Sequence, residues 1–168
     1  MKNYNHNNNP HINPVFGAFM AFNPIDSSHP EVQFVDRRLQ KDWKAQIAKY
    51  HTVVQNYRMI SKGKRKGWPQ QKKLYSTAAV GMDKDNNVLF IHSPSPYSTH
   101  DFINILLSLP IDIESAMYLE GGPEATLYIS PNHLQIKSKG RYGTVFAEYD
   151  GDISTLTIPN VIGIVKRR

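Results

Sequence analysis

The sequence has 168 residues and no cysteine. That excludes disulfides, cysteine–zinc sites and a thiol nucleophile. It does not choose between a reducing and an oxidising compartment. No apolar run reaches the ~18 residues that a membrane-spanning helix needs. There is no internal repeat. No His/Asp cluster has metal-ligand spacing, so neither a metal nor any other cofactor is expected. The first ten residues, Met1-Lys-Asn-Tyr-Asn-His-Asn-Asn-Asn-Pro10, are polar and lack the apolar core of a signal peptide. As it stands the chain reads as cytoplasmic, or as periplasmic or secreted if a leader is missing.

What is present is an ordinary globular composition, with 40% hydrophobic and 20% charged residues. The length suits one domain with a real core. The net charge of +6 favours anionic partners. Much of it is local: Lys62, Lys64, Arg65, Lys66, Lys72 and Lys73 fall within twelve residues. A solvated charged loop is the plain reading of such a run. Trp68 lies among these cations and offers a ring that can stack on a sugar or a base. Nucleic acid is nonetheless the lowest-ranked partner, because no helix-turn-helix, zinc or paired-aromatic motif accompanies the charge.

Residues 1 to 13 are rich in Asn and His, have little to bury and are expected to be disordered, leaving residues 14 to 168 as the domain. Val15 to Phe22 reads as a buried strand and Val32 to Val35 as a short one ending at Asp36. Leu39, Trp43, Ile47 and Tyr50 keep helical spacing, which gives a helix over 39–50. Thr52 to Asn56 is the next strand. Ser76–Met82 and Val88–Ile91 form a hairpin across the Asn- and Asp-rich turn 83–87. His92 to Ser98 reads as a stiff, proline-rich loop. Ser98, with Asp101 three residues on, caps a second helix whose buried stripe is Phe102, Ile105, Leu106 and Leu109, stopped by Pro110. His100 falls in its first turn and reads as solvated. A strand is expected over 132–137, turns at 140–143 and 149–152, and a central strand, apolar on both faces, at 159–165. Two helices among about eight strands give a single α+β domain with a mixed or mainly antiparallel sheet.

Two residues or stretches carry chemistry. Arg58 stands between apolar residues just past a strand. Its guanidinium fork suits a phosphate or carboxylate ligand and equally suits a structural ion pair. The second is Ser115 to Ile129, where two apolar strands flank Glu120-Gly121-Gly122-Pro123-Glu124. A carboxylate stands at the end of the first strand. Consecutive glycines allow close approach to the main chain, and their N–H groups can form an anion-binding concavity. A tight turn with a solvated Glu explains the same residues.

Several pieces together resemble the phosphodiester glycosidase family. They are Phe16–Pro24, Val54–Ile60, Ala78–Asp83, Leu89–Ser93 with the helix after it, Ala116–Ala125 and Ile158–Ile164. The likeness is greatest to bacterial members whose elbow reads Leu-Glu-Gly-Gly-Pro-Glu-Ala. It implies an α+β domain that hydrolyses the glycosidic bond of a sugar-1-phosphodiester. Many relatives read Leu-Asp-Gly-Gly-Gly-Ser, so Glu120 occupies the Asp position, Pro123 the third Gly and Glu124 the Ser. Thr77 stands where many carry an Arg, and their usual Asn-Ala-Gly-Met-Phe-like front strand is not found.

The expected catalytic residues are therefore Glu120, as general acid or base, and Glu124, as a second carboxylate. Gly121, Gly122 and Arg58 are expected to hold the phosphate, with His92, Ser93 and Asn56 lining the pocket. The partner is a small-molecule or glycan phosphodiester; the oligomeric state is left open. A non-catalytic glycan-binding module, or a shortened inactive member, is the alternative.

Overall fold

The computed structural model describes residues 2–131, 134–143, 158 and 160–166. In chain order the elements are β1 (Lys2–Asn3), β2 (His6–Asn7), β3 (Ala18–Pro24), β4 (Val32–Asp36), α1 (Trp43–Ala48), β5 (Tyr50–Asn56), β6 (Arg58–Ser61) and β7 (Lys64–Arg65). They continue with β8 (Leu74–Asp83), β9 (Val88–Tyr97), α2 (Thr99–Ser108), β10 (Ile113–Gly121), a 3-10 turn (Gly122–Glu124), β11 (Thr126–Ile129), β12 (Ile136–Lys139) and β13 (Tyr142–Gly143). Every described pairing is antiparallel, as the α+β reading expects.

Two sheets lie face to face. One runs β2-β1-β5-β3-β4; the other runs β13-β8-β10-β6-β7, with β9 on the far side of β8. Ala18 and Met20 meet Val80 and Met117 between them. The period-2 alternation of β3 sends Phe19 and Ala21 the other way, onto Trp43 and Ile47 of α1. On the outer face of the second sheet, Ala79 and Ala116 pack on Phe102, Ile103 and Leu106 of α2. The chain thus forms four layers, with a helix covering each sheet's outer face.

Several expectations are corrected. The Asn- and His-rich start is not loose: β1 pairs with β5, Asn3 Oδ1 accepts from Thr52 Oγ1 at 2.8 Å, and Tyr4 stacks on His51. Polar ladder bonds replace the apolar burial that composition says is missing. The first helix is shorter than expected, because Leu39 is exposed and Tyr50, fully buried, opens β5. The proline-rich stretch after His92 is not a loop but the end of β9, which pairs Tyr97 with Tyr75. β9 pairs only with β8 among the described strands, and an edge strand tolerates prolines. In α2, Ile103 is buried where Leu109 was expected; Leu109 follows the helix and is exposed. The strand expected over 132–137 is found at Ile136–Lys139. Residues 140–143 hold β13 rather than only a turn; the turn expected at 149–152 lies outside the described residues.

The central strand expected at 159–165 is not found among the described residues there. Val161, Ile164 and Val165 are exposed, and Ile162 alone touches the core between the sheets. The central positions beside β8 are taken by β10 and β13 on one side and β9 on the other.

Candidate functional site

β10 runs beside β8 until Gly121 stands opposite Thr77. There the chain leaves the sheet. Gly122 has φ +74°, in the left-handed region that a side chain disfavours, and the 3-10 turn closes with Ala125 N–H donating to Gly122 O at 3.1 Å. The vacated slot beside β8 is refilled by the returning chain: Arg141 exchanges bonds with Ser76, Tyr142 pairs with Tyr75 and Gly143 with Leu74. Gly121 itself is extended, at φ −136°. Its need for glycine is steric, because a Cβ would overlap the Tyr118 hydroxyl and the Tyr75 ring. At Gly122 a Cβ would lie 2.5 Å from Cε1 of Tyr142. Tyrosines therefore close around the two glycines.

Glu120 is exposed, and its Oε1 accepts from the Gly121 N–H at 3.0 Å. The first N–H of the concavity is thus occupied by the neighbouring carboxylate. Glu124 is half-buried in the turn. The Tyr118 phenol is pushed up from its ordinary pKa by burial first, then by Tyr75, Glu120, Tyr142 and Glu124. It stays protonated and can only be approached as a neutral donor or acceptor. Tyr75 hydrogen-bonds to Thr99 at the start of α2. Thr77 Oγ1 is the buried side-chain polar atom without a hydrogen-bond partner among the described residues, and it lies in the ladder beside Gly121.

His92 joins this group. Glu120 pairs with Ala78, and Ala78 with His92, so all three lie in one row across three strands. Directly paired residues share a sheet face, and the small Ala78 separates the two polar side chains. His92 Nε2 lies 3.0 Å from Ala125 O. A carbonyl only accepts, so Nε2 carries the hydrogen of this bond. Asn56 Nδ2 donates to Leu119 O at 3.2 Å, fastening β5 to β10 one residue before Glu120. Ser93 pairs with Thr77 on the opposite face from His92, and its Oγ donates to Ser95 O at 2.8 Å.

Arg58 is not brought to the elbow by any described contact. Its Nη1 donates to both carboxylate oxygens of Asp36, at 3.0 and 2.8 Å. Asp36 also accepts from Ser61 Oγ at 2.7 Å and from Arg38 N–H at 2.9 Å. Burial alone would raise the Asp36 pKa. The Arg58 and Ser61 hydrogen bonds, the Arg38 N–H and the Arg58 charge overcome it and hold the carboxyl below its ordinary value. Of the two readings of Arg58, the geometry is that of the ion pair. The pair walls a cavity of about 150 Å³ that Lys62 and Glu114 also line. That is below the ~300 Å³ at which small-molecule sites begin.

The tyrosines were not legible as site residues. Tyr118 stands in an apolar strand and reads as core, and nothing local in the sequence says that Tyr142 returns to the elbow. Trp68, considered as a stacking surface, is half-buried: Nε1 donates to Arg58 O at 2.8 Å, and its ring packs on Tyr57 and Tyr118. Among the described residues no three His, Asp or Glu converge as metal ligands, and no helix is long and apolar enough to cross a membrane.

The elbow thus brings an exposed carboxylate, two glycines and His92 to the end of β10. Residues 5–165 match the phosphodiester glycosidase family. The chain belongs to that family, over essentially its whole length. No curated protein matches it significantly.

Proposed function

We propose that the chain hydrolyses sugar-1-phosphodiesters at the Glu120 elbow. The observation that carries the reading is the exposed Glu120 carboxylate resting on the Gly121 N–H within a chain of this family. Glu120 is parked on a donor that an anionic substrate would use. A phosphate oxygen of the substrate takes the Gly121 N–H, with Gly122 beside it, and the carboxylate is released. The Tyr118 hydroxyl borders Gly121 from the α2 face of the sheet. Burying the phosphate against preorganised donors stabilises the charge that develops on it.

The phosphate is itself a good leaving group, since its second pKa is near 6 and it departs with little help from an acid. The harder task is activating water. Glu120 takes a proton from water as the hydroxyl adds to the anomeric carbon, and the C1–O bond breaks to leave a phosphomonoester. General-base help of this kind is worth about 10²–10⁴ in rate. Glu124 is the second carboxylate of the pair. His92 and Asn56 line the approach on the face of Glu120, Ser93 supports β9 behind it, and Arg58 acts through its hold on Asp36 rather than on the substrate.

Sugar release from a simple N-acetylglucosamine phosphodiester tests this reading. Release by the wild type, and loss with Glu120→Gln, is the expected result. The second reading is a glycan-binding module, favoured by the engagement of Arg58 with Asp36, which leaves the elbow without that cation. Measurable affinity for a glycan with no sugar released would select it.

A further inference from the structure

The basic run has no task in that reaction, yet the fold places it with care. Lys62, Lys64, Arg65, Lys72 and Lys73 are exposed and Lys66 is half-buried. Among the described residues none of the five lysine side chains has an ion-pair or hydrogen-bond partner. Arg65 is fixed differently. Its Nη1 lies 2.6 Å from His100 Nε2, and His100 Nδ1 lies 3.0 Å from Trp68 O. The carbonyl accepts, so Nδ1 carries a hydrogen toward it; Arg65 Nη1 lies 2.7 Å from that nitrogen as well, against the edge of the ring. His100, expected to be solvated, instead clamps the β6–β7 hairpin and the Trp68 segment to α2.

From that clamp the run leads to the elbow. Trp68 packs on Tyr118 with ring centroids 5.6 Å apart, and the Tyr118 hydroxyl borders Gly121. Gln70 Nε2 donates to Asp101 Oδ2 at 2.9 Å beside the α2 cap. Lys72 and Lys73 then precede Leu74 and Tyr75, which pair with Gly143 and Tyr142 over the elbow. The carboxylates nearby are Asp101, bonded to Ser98 and Gln70, and Glu114 beside Lys62 at the far end. Lys64 pairs with Ser61, whose hydroxyl faces Asp36, and Lys62 lines the Asp36 cavity, so these two lie on the other face; Lys66, Lys72 and Lys73 are the unpaired cations of the segment that runs past Trp68 to the elbow.

A single phosphodiester has one charge and needs one cation. We propose that the natural substrate is a polyanionic polymer joined through sugar-1-phosphodiester bonds, with Lys66, Lys72 and Lys73 holding the phosphates next to the bond cleaved. This rests on the hydrolase reading of the elbow. Nucleic acid fits less well, because the Trp68 ring is packed between Tyr57 and Tyr118 with its N–H already used, so bases find no free stacking platform there.

The probe is a fluorescent, lipid-free poly(glycerol phosphate) chain, with affinity followed by anisotropy at 50 and 200 mM salt. For a flexible chain each phosphate contact contributes about 0.7 to the salt slope, so three contacts give about a twentyfold loss of affinity over that range. Lys66→Gln/Lys72→Gln and Lys72→Gln/Lys73→Gln each weaken binding and flatten the salt dependence. Lys41→Gln/Lys44→Gln, at and beside α1 on the opposite outer layer, binds as the wild type does. No binding, double variants that match the wild type, or equal affinity for an oligonucleotide of the same charge would overturn the proposal. Sugar release from the small phosphodiester is measured in parallel. Release without polymer binding overturns the polymer inference and keeps the hydrolase; polymer binding without release does the reverse.

Discussion

Asp36 and Arg58 show how a residue that reads as a ligand grip is committed elsewhere. Both side chains are about 15% exposed, at 14% and 15%, so neither charge is well hydrated. Removing one partner leaves the other buried and unpaired. Asp36→Ala is expected to cost about 3 kcal/mol, the low end for a buried pair because some solvent remains. Thermal unfolding should fall by about 10 °C for a chain of this size. The pH dependence has a definite sign. The folded-state pKa of Asp36 lies below its ordinary value of 3.8, so its stabilising contribution is present above that value and fades as pH drops through the lower folded one. The stability gap between wild type and Asp36→Asn should therefore shrink below about pH 4. A gap constant with pH would show that the carboxylate is not held by the pair.

At the scale of the element, α2 and the β10–β13 relay set the site. Ser98 is fully buried; its Oγ accepts from Asp101 N–H at 3.1 Å and hydrogen-bonds to the Asp101 carboxylate at 2.7 Å. Ser98→Ala should cost about 1 kcal/mol in chemical denaturation, the usual worth of a cap. Unchanged stability would mean that Tyr75 and Gln70 hold this end without it. Gly122→Ala forces a side chain into φ +74° and against Tyr142. A loss of about 2 kcal/mol is expected, together with displacement of the Tyr142 ring, read from its fluorescence or from proton exchange of the 140–143 amides. The cap was legible because its signal spans four residues, and the 76–91 hairpin because its turn residues are adjacent. The elbow's strand and glycines were also plain. What encloses the elbow was not: Tyr142 reaches it only because β10 vacates a slot that a distant segment fills. The 159–165 run was misplaced because apolarity alone does not say whether a segment pairs, and the positions beside β8 are taken by β9, β10 and β13.

For the whole molecule, two facing sheets with a helix outside each hold the carboxylate of Glu120 at the end of a central strand. β6 braces β10 over Ser115–Met117, and β8 pairs with it as far as Glu120 and Gly121. The most direct measurement is turnover of an N-acetylglucosamine phosphodiester by wild type and Glu120→Gln, with affinity for the unreacted substrate measured on both. Loss of about 10²–10⁴ in kcat at retained affinity is expected, because the amide keeps the size and removes the base. Full turnover by Glu120→Gln would contradict the central role of the elbow carboxylate.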